Sequence, residues 1–129
     1  MYTSEDVEML VQDKYTALST CAWNAEYLHV QMQDDYDWMG MLLSKEHAEL
    51  LRDTLDVFLE GGYDYEDVEM LVQDEHSELN TRACNAEYLH VHMQNYHEYY
   101  GMGLLLSKEQ AELLRDTLDV FIHGGYVDE

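Results

Sequence analysis

The chain has 129 residues and a formal net charge of −22 at pH 7, because 28 Asp and Glu residues outnumber 6 Lys and Arg residues. This charge excludes direct binding to DNA or RNA, whose phosphates repel carboxylates, and no segment approaches the ~18 consecutive apolar residues of a transmembrane helix. Apolar residues nevertheless make up 47% of the chain, too many for a disordered segment, so the composition predicts a folded, soluble, intracellular protein that binds no membrane.

Residues 1–43 alternate apolar and polar side chains in several short segments, a period typical of half-buried β-strands. Asn24-Ala25 and the polar stretch 34–37 predict hairpin connections between these strands. Segment 7–12 is open to two interpretations, strand or helix, because Ser4-Glu5-Asp6 is also a suitable start for a capped helix. The residues predicted to point inward form four triplets: Val7, Met9, Val11; Leu18, Thr20, Ala22; Leu28, Val30, Met32; and Met39, Met41, Leu43.

Residues 44–60 predict an amphipathic helix. Ser44 is a suitable N-cap, and the Gly61-Gly62 pair supplies a C-terminal stop. At ~100° per residue, one face of this helix collects apolar side chains that must pack against the predicted strands. These side chains are Ala48, Leu51, Leu55, Phe58 and Leu59.

The second half of the chain repeats the first. The helical segment SKEHAELLRDTLDVFLEGGY at 44–63 returns as SKEQAELLRDTLDVFIHGGY at 107–126, and EDVEMLVQD and NAEYLH are also repeated. Ser107 and Gln110 add a capping box, and the second glycine pair is Gly124-Gly125. We interpret the chain as a tandem duplication with units 1–62 and 63–129. The expected fold class is α+β, in which each copy is an antiparallel β-meander of three to four strands followed by one C-terminal amphipathic helix.

Each predicted helix carries a stripe of carboxylates on the side opposite its apolar face. The acids recur every three or four residues, within ~80° of arc and over about 21 Å in the first helix. Acids at these spacings repel one another at a cost of a few tenths of a kcal/mol per pair, so helix stability alone does not explain the pattern. The stripes consist of Glu46, Glu49, Asp53, Asp56 and Glu60 in the first copy and Glu109, Glu112, Asp116 and Asp119 in the second.

Other side chains extend this candidate binding surface. Asp34, Asp35 and Asp37 combine with Tyr63 and Tyr65 to give acids beside aromatic rings, a composition suited to Arg-rich partners. An apolar pair beside each stripe predicts a contact that covers it, either between the two copies or between two chains, and the second alternative is a homodimer. These pairs are Leu50 with Val57 and Leu113 with Val120.

Metal and catalytic sites receive less support from the residues. His90 and His92 would lie on one face of a strand and could bind zinc or copper, and Asp35, Asp37 and Glu46 partly match a calcium loop. The chain contains no Gly-rich phosphate loop, nucleophile elbow or CxxC motif. We therefore expect no catalysis and no cofactor, with two free cysteines in a reducing compartment.

In its size, acidity and carboxylate stripes Glu46–Glu60 and Glu109–Asp119, the chain resembles the small DNA-mimic proteins of phages and mobile elements. These include anti-restriction proteins, uracil-glycosylase inhibitors and some anti-CRISPR proteins. The resemblance implies an inhibitor, located in the cytoplasm of a bacterial host, whose carboxylates replace phosphates in a cationic nucleic-acid site. The implied partner is a CRISPR effector, ahead of a restriction or repair enzyme. Two alternatives stay open: a dimeric interaction or regulatory module without mimicry, and a metal-binding protein.

Overall fold

The fold is α+β, as the sequence predicts, and each copy is a four-stranded antiparallel meander followed by one helix. A computed structural model describes residues 1–97 and 100–124. The first copy contains a 3-10 turn (Ser4–Val7), strands β1 (Met9–Gln12), β2 (Ala17–Ala22), β3 (Tyr27–Gln33) and β4 (Trp38–Ser44), and helix α1 (Lys45–Glu60). The second contains a 3-10 turn (Tyr65–Val68), strands β5 (Met70–Gln73), β6 (Ser77–Ala83), β7 (Leu89–Asn95) and β8 (Tyr100–Leu106), and helix α2 (Lys108–His123).

Both sheets bury one face and leave the other at the surface. Their strands pair in chain order, β1-β2-β3-β4 and β5-β6-β7-β8. The register places inward-facing residues opposite one another, for example Leu18 beside Met32 and Val30 beside Met41. All four predicted triplets point inward, and each member is buried except Ala22, which is partly buried. The period-two pattern therefore predicted the buried face of every strand in the first sheet.

The start of each copy combines the two structures that the sequence left open. In the first copy, a 3-10 turn ends at the fully buried Val7, and β1 begins two residues later. Thr3 and Asp6 form a capping box in which the Thr3 amide donates to Asp6 Oδ2 at 2.9 Å. Ser4, Glu5 and Asp6 therefore do begin a capped helical segment, but this segment is a single 3-10 turn. It ends before Met9, where the alternating residues of β1 begin.

Five of the six hairpin loops, all those whose residues the structure fully describes, are closed by an Asp or Asn side chain at the start of the loop. This side chain accepts hydrogen bonds from the backbone amides two and three residues further on, at 2.8–3.0 Å. Such Asx turns satisfy amides that would otherwise have no partner in a tight loop. The residues that act in this way are Asp13, Asn24 and Asp34 in the first copy and Asp74 and Asn85 in the second.

Both helices begin and end largely as predicted. Ser44 Oγ accepts from the amide of His47, and the capping box of Ser107 with Gln110 is formed. Gly61 ends α1 with a φ of 78°, a left-handed value that favours glycine. Gly124 ends α2 with a φ of −84°, so no left-handed residue is needed there, and Gly125 lies outside the described residues. No helix within the described ranges is long and apolar enough to cross a membrane.

The two copies pack into one another through their helices. Helix α1 contacts β3 and β4 of its own sheet, but also β5 and the 3-10 turn of the second copy; α2 contacts β8, β1 and the first 3-10 turn. Buried residues of both copies accordingly form one hydrophobic cluster. The division into repeat units 1–62 and 63–129 stays a prediction, and buried residues of both units contribute to this shared core.

Candidate functional site

The two predicted stripes lie on the outer side of α1 and α2. All their carboxylates are exposed except those of Asp56 and Asp119, which are half-buried. In α1 the buried side chains are centred ~180° from the stripe around the helix axis, so the stripe points away from the core. We call this surface the acidic face, formed by Glu46, Glu49, Asp53, Asp56, Glu60, Glu109, Glu112, Asp116 and Asp119.

Two lysines hold the helices side by side in opposite directions. Lys45, in the first turn of α1, donates to the backbone carbonyl of Phe121 near the end of α2, and Lys108 donates to the carbonyl of Phe58 near the end of α1. Each ammonium also lies 3.9 Å from the ring centroid of the same phenylalanine. A cation at the carbonyl end of a helix is favoured by the helix dipole, while burial lowers the pKa of Lys45.

Two arginines join the stripes across the helix pair. Arg52 Nη1 lies 3.0 Å from Asp119 Oδ1, and Arg115 Nη1 lies 3.3 Å from Asp56 Oδ1. Each arginine also pairs at 2.9 Å with the aspartate that follows it, and these hydrogen bonds raise the pKa of both guanidinium groups, with the following aspartate as the larger cause. The lysine–carbonyl contacts and the arginine–aspartate contacts between the helices are each returned by the equivalent residue of the other helix. The helices are therefore related by a pseudo-two-fold axis, which sets the two stripes next to each other.

The basic residues of α1 and α2 do not neutralise the carboxylates at the ends of the acidic face. Lys45, Arg52, Lys108 and Arg115 are four of the 6 basic residues of the chain, and all four contact the opposite helix. Within residues 1–97 and 100–124, no ion pair involves four of the stripe carboxylates, those of Glu46, Glu49, Glu60 and Glu109. The centre of the face is cross-linked by arginine, and its ends present carboxylates to solvent.

The 3-10 turns extend the acidic surface beyond the helices. The turn of the second copy packs beside α1 and that of the first copy packs beside α2. Each turn belongs to the repeated sequence EDVE, whose three acids are exposed while its valine is buried. The repetition of EDVE in the sequence is a signal for these acids. They are Glu5, Asp6 and Glu8 in the first copy and Glu66, Asp67 and Glu69 in the second.

Charge is nearly absent from the sheets. The strands β1 to β4 contain no Asp, Glu, Lys or Arg, and within the described strands of the second sheet only Glu78 and Arg82, both on β6, are charged. The acids are thus concentrated on the helices, the 3-10 turns and the loops. A requirement for solubility alone would be met equally well by charges on the outer faces of the sheets.

The predicted acids of loop 34–37 have mainly local roles. Asp34 accepts from the amides of Tyr36 and Asp37 at 2.9 and 2.8 Å, so it closes the hairpin between β3 and β4. Asp37 accepts from the amide of Trp38 at 2.9 Å. Asp35 is exposed at the tip of the loop. Of the three, Asp35 has the side chain most available to a partner.

The two predicted tyrosines differ in their surroundings. Tyr63 is half-buried, with its ring centroid 6.0 Å from that of Phe58, and burial raises the pKa of its hydroxyl. Its equivalent in the first copy, Tyr2, is buried against Phe121 in the same way. Tyr63 is therefore part of the packing around the helix ends. Tyr65, with 66% of its surface exposed, lies in the 3-10 turn that borders α1, and it remains available as a contact residue.

The apolar pairs beside the stripes are partly exposed. Leu50 and Leu113 expose 45% and 46% of their surface, and Val120 exposes 37%. Val57 is half-buried and packs against the core. Apolar side chains thus border the acidic face on both helices, and the homodimer remains a prediction.

The histidines that the sequence offered as a metal pair lie flat against the second sheet. The imidazole of His90 covers Gly103, and that of His92 covers Gly101: a Cβ at either glycine would lie 2.7 Å from the Nε2 of that ring. His29 covers Gly40 in the first sheet in the same manner, and burial lowers the pKa of both His29 and His90. These imidazoles fill the space above glycines, which is a packing role.

The comparisons with known proteins add no relative. No protein-family model matches the chain, and no curated protein sequence matches it.

Cys21 and Cys84 are free thiols, as predicted, and both are exposed. Across residues 1–97 and 100–124, no group of three or more His, Cys, Asp or Glu side chains is arranged to hold a metal ion.

Proposed function

We propose that this protein is a nucleic-acid mimic that binds the cationic DNA-binding site of an enzyme through its acidic face and blocks that site. One observation supports this function best: the pseudo-two-fold pairing of α1 and α2 sets two antiparallel rows of carboxylates side by side on one outer surface. The two strands of duplex DNA are likewise antiparallel rows of anions. A Lys- and Arg-lined groove would meet a comparable arrangement of charge in either molecule.

The dimensions of the acidic face are compatible with this role. The row on α1 is about 21 Å long, with one carboxylate per ~5 Å, and helices that pack directly have axes about 8–10 Å apart. Along each row the spacing of ~5 Å is comparable with the ~3.4 Å of axis per phosphate of one DNA strand. The separation of the two helices lies between the widths of the minor and major grooves of B-DNA, about 6 and 12 Å. The bordering 3-10 turns add six more exposed acids, Glu5, Asp6, Glu8, Glu66, Asp67 and Glu69.

The placement of the cations also favours mimicry. Arg52 and Arg115 pair with carboxylates at the centre of the face, and Lys45 and Lys108 lie in the helix interface, so few cations remain to repel a basic partner. A protein with this charge distribution is steered towards a basic groove at rates that fall as salt is added. The partner class that we propose is a CRISPR effector, ahead of a restriction or repair enzyme, in line with the resemblance described above.

Capture of partners from a bacterial lysate tests this function. The immobilised full chain is washed at low and then at high salt, and duplex DNA is added as a competitor. We expect to recover a nucleic-acid-processing enzyme that both salt and DNA displace. Recovery only of partners that neither salt nor DNA displaces would contradict mimicry and would support an interaction module of another kind.

A further inference from the structure

A second pair of histidines lies outside the acidic face, at the loops of the second sheet. His76 follows β5 and His97 follows β7, and both side chains are exposed. His76 Nδ1 is 2.9 Å from His97 Nε2, and the two ring centroids are 5.0 Å apart. Unlike His90 and His92, these rings cover no glycine, since the glycines covered by histidine are Gly40, Gly101 and Gly103.

The backbone holds the two loops in place around this pair. The His76 amide donates to Asp74 Oδ1 at 2.8 Å, and the His97 amide donates to Asn95 Oδ1 at 2.9 Å. The Tyr96 amide donates to the His76 carbonyl at 2.8 Å, which joins one loop to the other. The close approach of the two rings is therefore built on fixed backbone positions.

The spacing of the two nitrogens suits joint coordination of one metal ion. Two imidazole nitrogens at ~2.0 Å from a tetrahedral Zn²⁺ lie about 3.3 Å apart, so the nitrogens must separate by about 0.4 Å and each exposed ring must rotate by roughly 35° before both lone pairs point at one ion. In the metal-free pair one ring donates a hydrogen bond to the other. To bind a metal ion through these two atoms, the donor ring must carry its proton on its other nitrogen, so that both facing nitrogens offer a lone pair.

A carboxylate stands behind one of the two ligands. Glu75 Oε2 lies 3.9 Å from His76 Nε2, the nitrogen that does not face His97. A carboxylate that accepts a hydrogen bond from the far nitrogen of a metal-bound histidine orients the ring and raises its basicity, and Glu75 must move about 1 Å closer to do so. The two imidazoles therefore define an open site in which solvent completes the coordination.

We propose that His76 and His97 form a site for a divalent transition metal ion of the Zn²⁺ class, which imidazole ligands prefer over Mg²⁺ and Ca²⁺. The site exists in the second copy only. Tyr15 occupies the position equivalent to His76, and His97 lies in the part of the second copy that is two residues longer than the first. Bound metal would tie the β5–β6 loop to the segment that follows β7 and would distinguish two otherwise equivalent copies.

Calorimetric titration of the full chain with Zn²⁺, in excess Mg²⁺ to occupy the surface carboxylates, tests this site. We expect the titration to show one Zn²⁺ bound per chain. The thermal unfolding midpoint should rise when Zn²⁺ is added and should fall back to its metal-free value when a chelator removes the ion. His76→Gln and His97→Gln should each weaken binding at least about tenfold, the smallest loss expected when even an outer partner of a metal ligand is removed.

His123→Gln is the matched control, because this histidine is also exposed but lies at the end of α2. It should leave Zn²⁺ binding unchanged. Circular dichroism of each variant verifies the fold, which should persist because the substituted side chains are at the surface. Absence of saturable Zn²⁺ binding by the wild-type chain, or equal binding by His76→Gln, would overturn the proposal.

Discussion

Asp34 and Asp35 are neighbours in one acidic loop, but their side chains have different roles. Asp34 closes the β3–β4 hairpin through two backbone amides, whereas Asp35 is exposed at the tip. The sequence contained the signal for this difference, because β1, β3 and β5 each end on a Gln that is followed by Asp, at Gln12-Asp13, Gln33-Asp34 and Gln73-Asp74. Asp at the start of a loop is typical of an Asx turn. Asp34 and Asp35 also contribute to the high overall charge of the chain, and this charge is the reason why the sequence predicts a binding role for both.

Substitutions in this loop separate the hydrogen bonds from the charge. We expect Asp34→Ala to lower the free energy of unfolding by about 1–3 kcal/mol, because two amides lose a charged acceptor. Asp34→Asn keeps an acceptor, as Asn24 does in the preceding loop, and should stay within about 0.5 kcal/mol of wild type. Asp35→Ala, with the same loss of charge but no turn to break, is the control. Chemical denaturation measures all three, and equal effects of Asp34→Ala and Asp35→Ala would contradict the assigned role.

At the scale of elements, local sequence patterns predicted the strands and helices but not the partners against which the helices pack. The period-two triplets gave the buried face of each strand of the first sheet, and Ser44 and Ser107 gave the helix starts. The pairing of α1 with α2 joins residues far apart in the sequence. No local pattern shows that Arg52 meets Asp119 or that Lys45 reaches the end of α2, since such contacts depend on the folded chain. The sequence therefore predicted the carboxylate rows, and the structure adds their alignment across the pseudo-two-fold axis.

The acidic face should contain carboxylates with opposite effects on stability. Asp119→Asn removes the partner of Arg52 on the opposite helix and should lower the free energy of unfolding by about 0.5–1 kcal/mol. Glu60→Gln removes a carboxylate that lies four residues after Asp56, at the carbonyl end of α1, and should raise it by a few tenths of a kcal/mol. Thermal unfolding at low and high salt measures both effects, and each should shrink as salt is added. A loss of stability in both variants would contradict the proposed division between the paired centre and the unpaired ends.

At the scale of the whole molecule, the two copies form one structure around a shared hydrophobic cluster. Because each helix contacts elements of both copies, half of the chain would expose the surface that α1 normally buries against β5, the second 3-10 turn and α2. The duplication could be inferred from the repeated sequence. The extent of packing between the copies could not, because the same amphipathic helix is compatible with packing against its own sheet alone.

Fragment 1–62 tests how far the copies depend on each other. We expect this fragment to associate into a dimer in which two copies of α1 pair as α1 pairs with α2, since each residue of the interface has an equivalent in the other copy. Its unfolding midpoint should therefore rise with protein concentration. Light scattering measures the association. A stably folded monomer of this fragment would show instead that each copy is an independent folding unit.

The central claim is that the acidic face binds in place of nucleic acid, and charge reversal on that face tests it most directly. The measurement is duplex-DNA binding by a panel of CRISPR effectors, restriction enzymes and repair enzymes in the presence of this protein. The face variant is Glu46→Lys with Glu49→Lys and Glu109→Lys, which changes exposed carboxylates without an ion pair in the described part of the chain. The control variant is Glu26→Lys with Glu75→Lys and Glu87→Lys, an equal change of charge in exposed hairpin loops.

We predict that the wild-type protein and the loop variant displace DNA from at least one enzyme of the panel and that the face variant does not. Loss through the face variant should come from binding and not from unfolding, because the reversed residues are exposed. Lys in place of Glu46 and Glu109 loses the favourable interaction of an acid with the first turn of each helix, about 0.3–1 kcal/mol per site, so circular dichroism of the variant verifies that it is folded. The contrary result is that no enzyme of the panel loses DNA, or that the face variant displaces DNA as well as the wild type does. Either outcome would show that the acidic face is not the surface through which this protein acts.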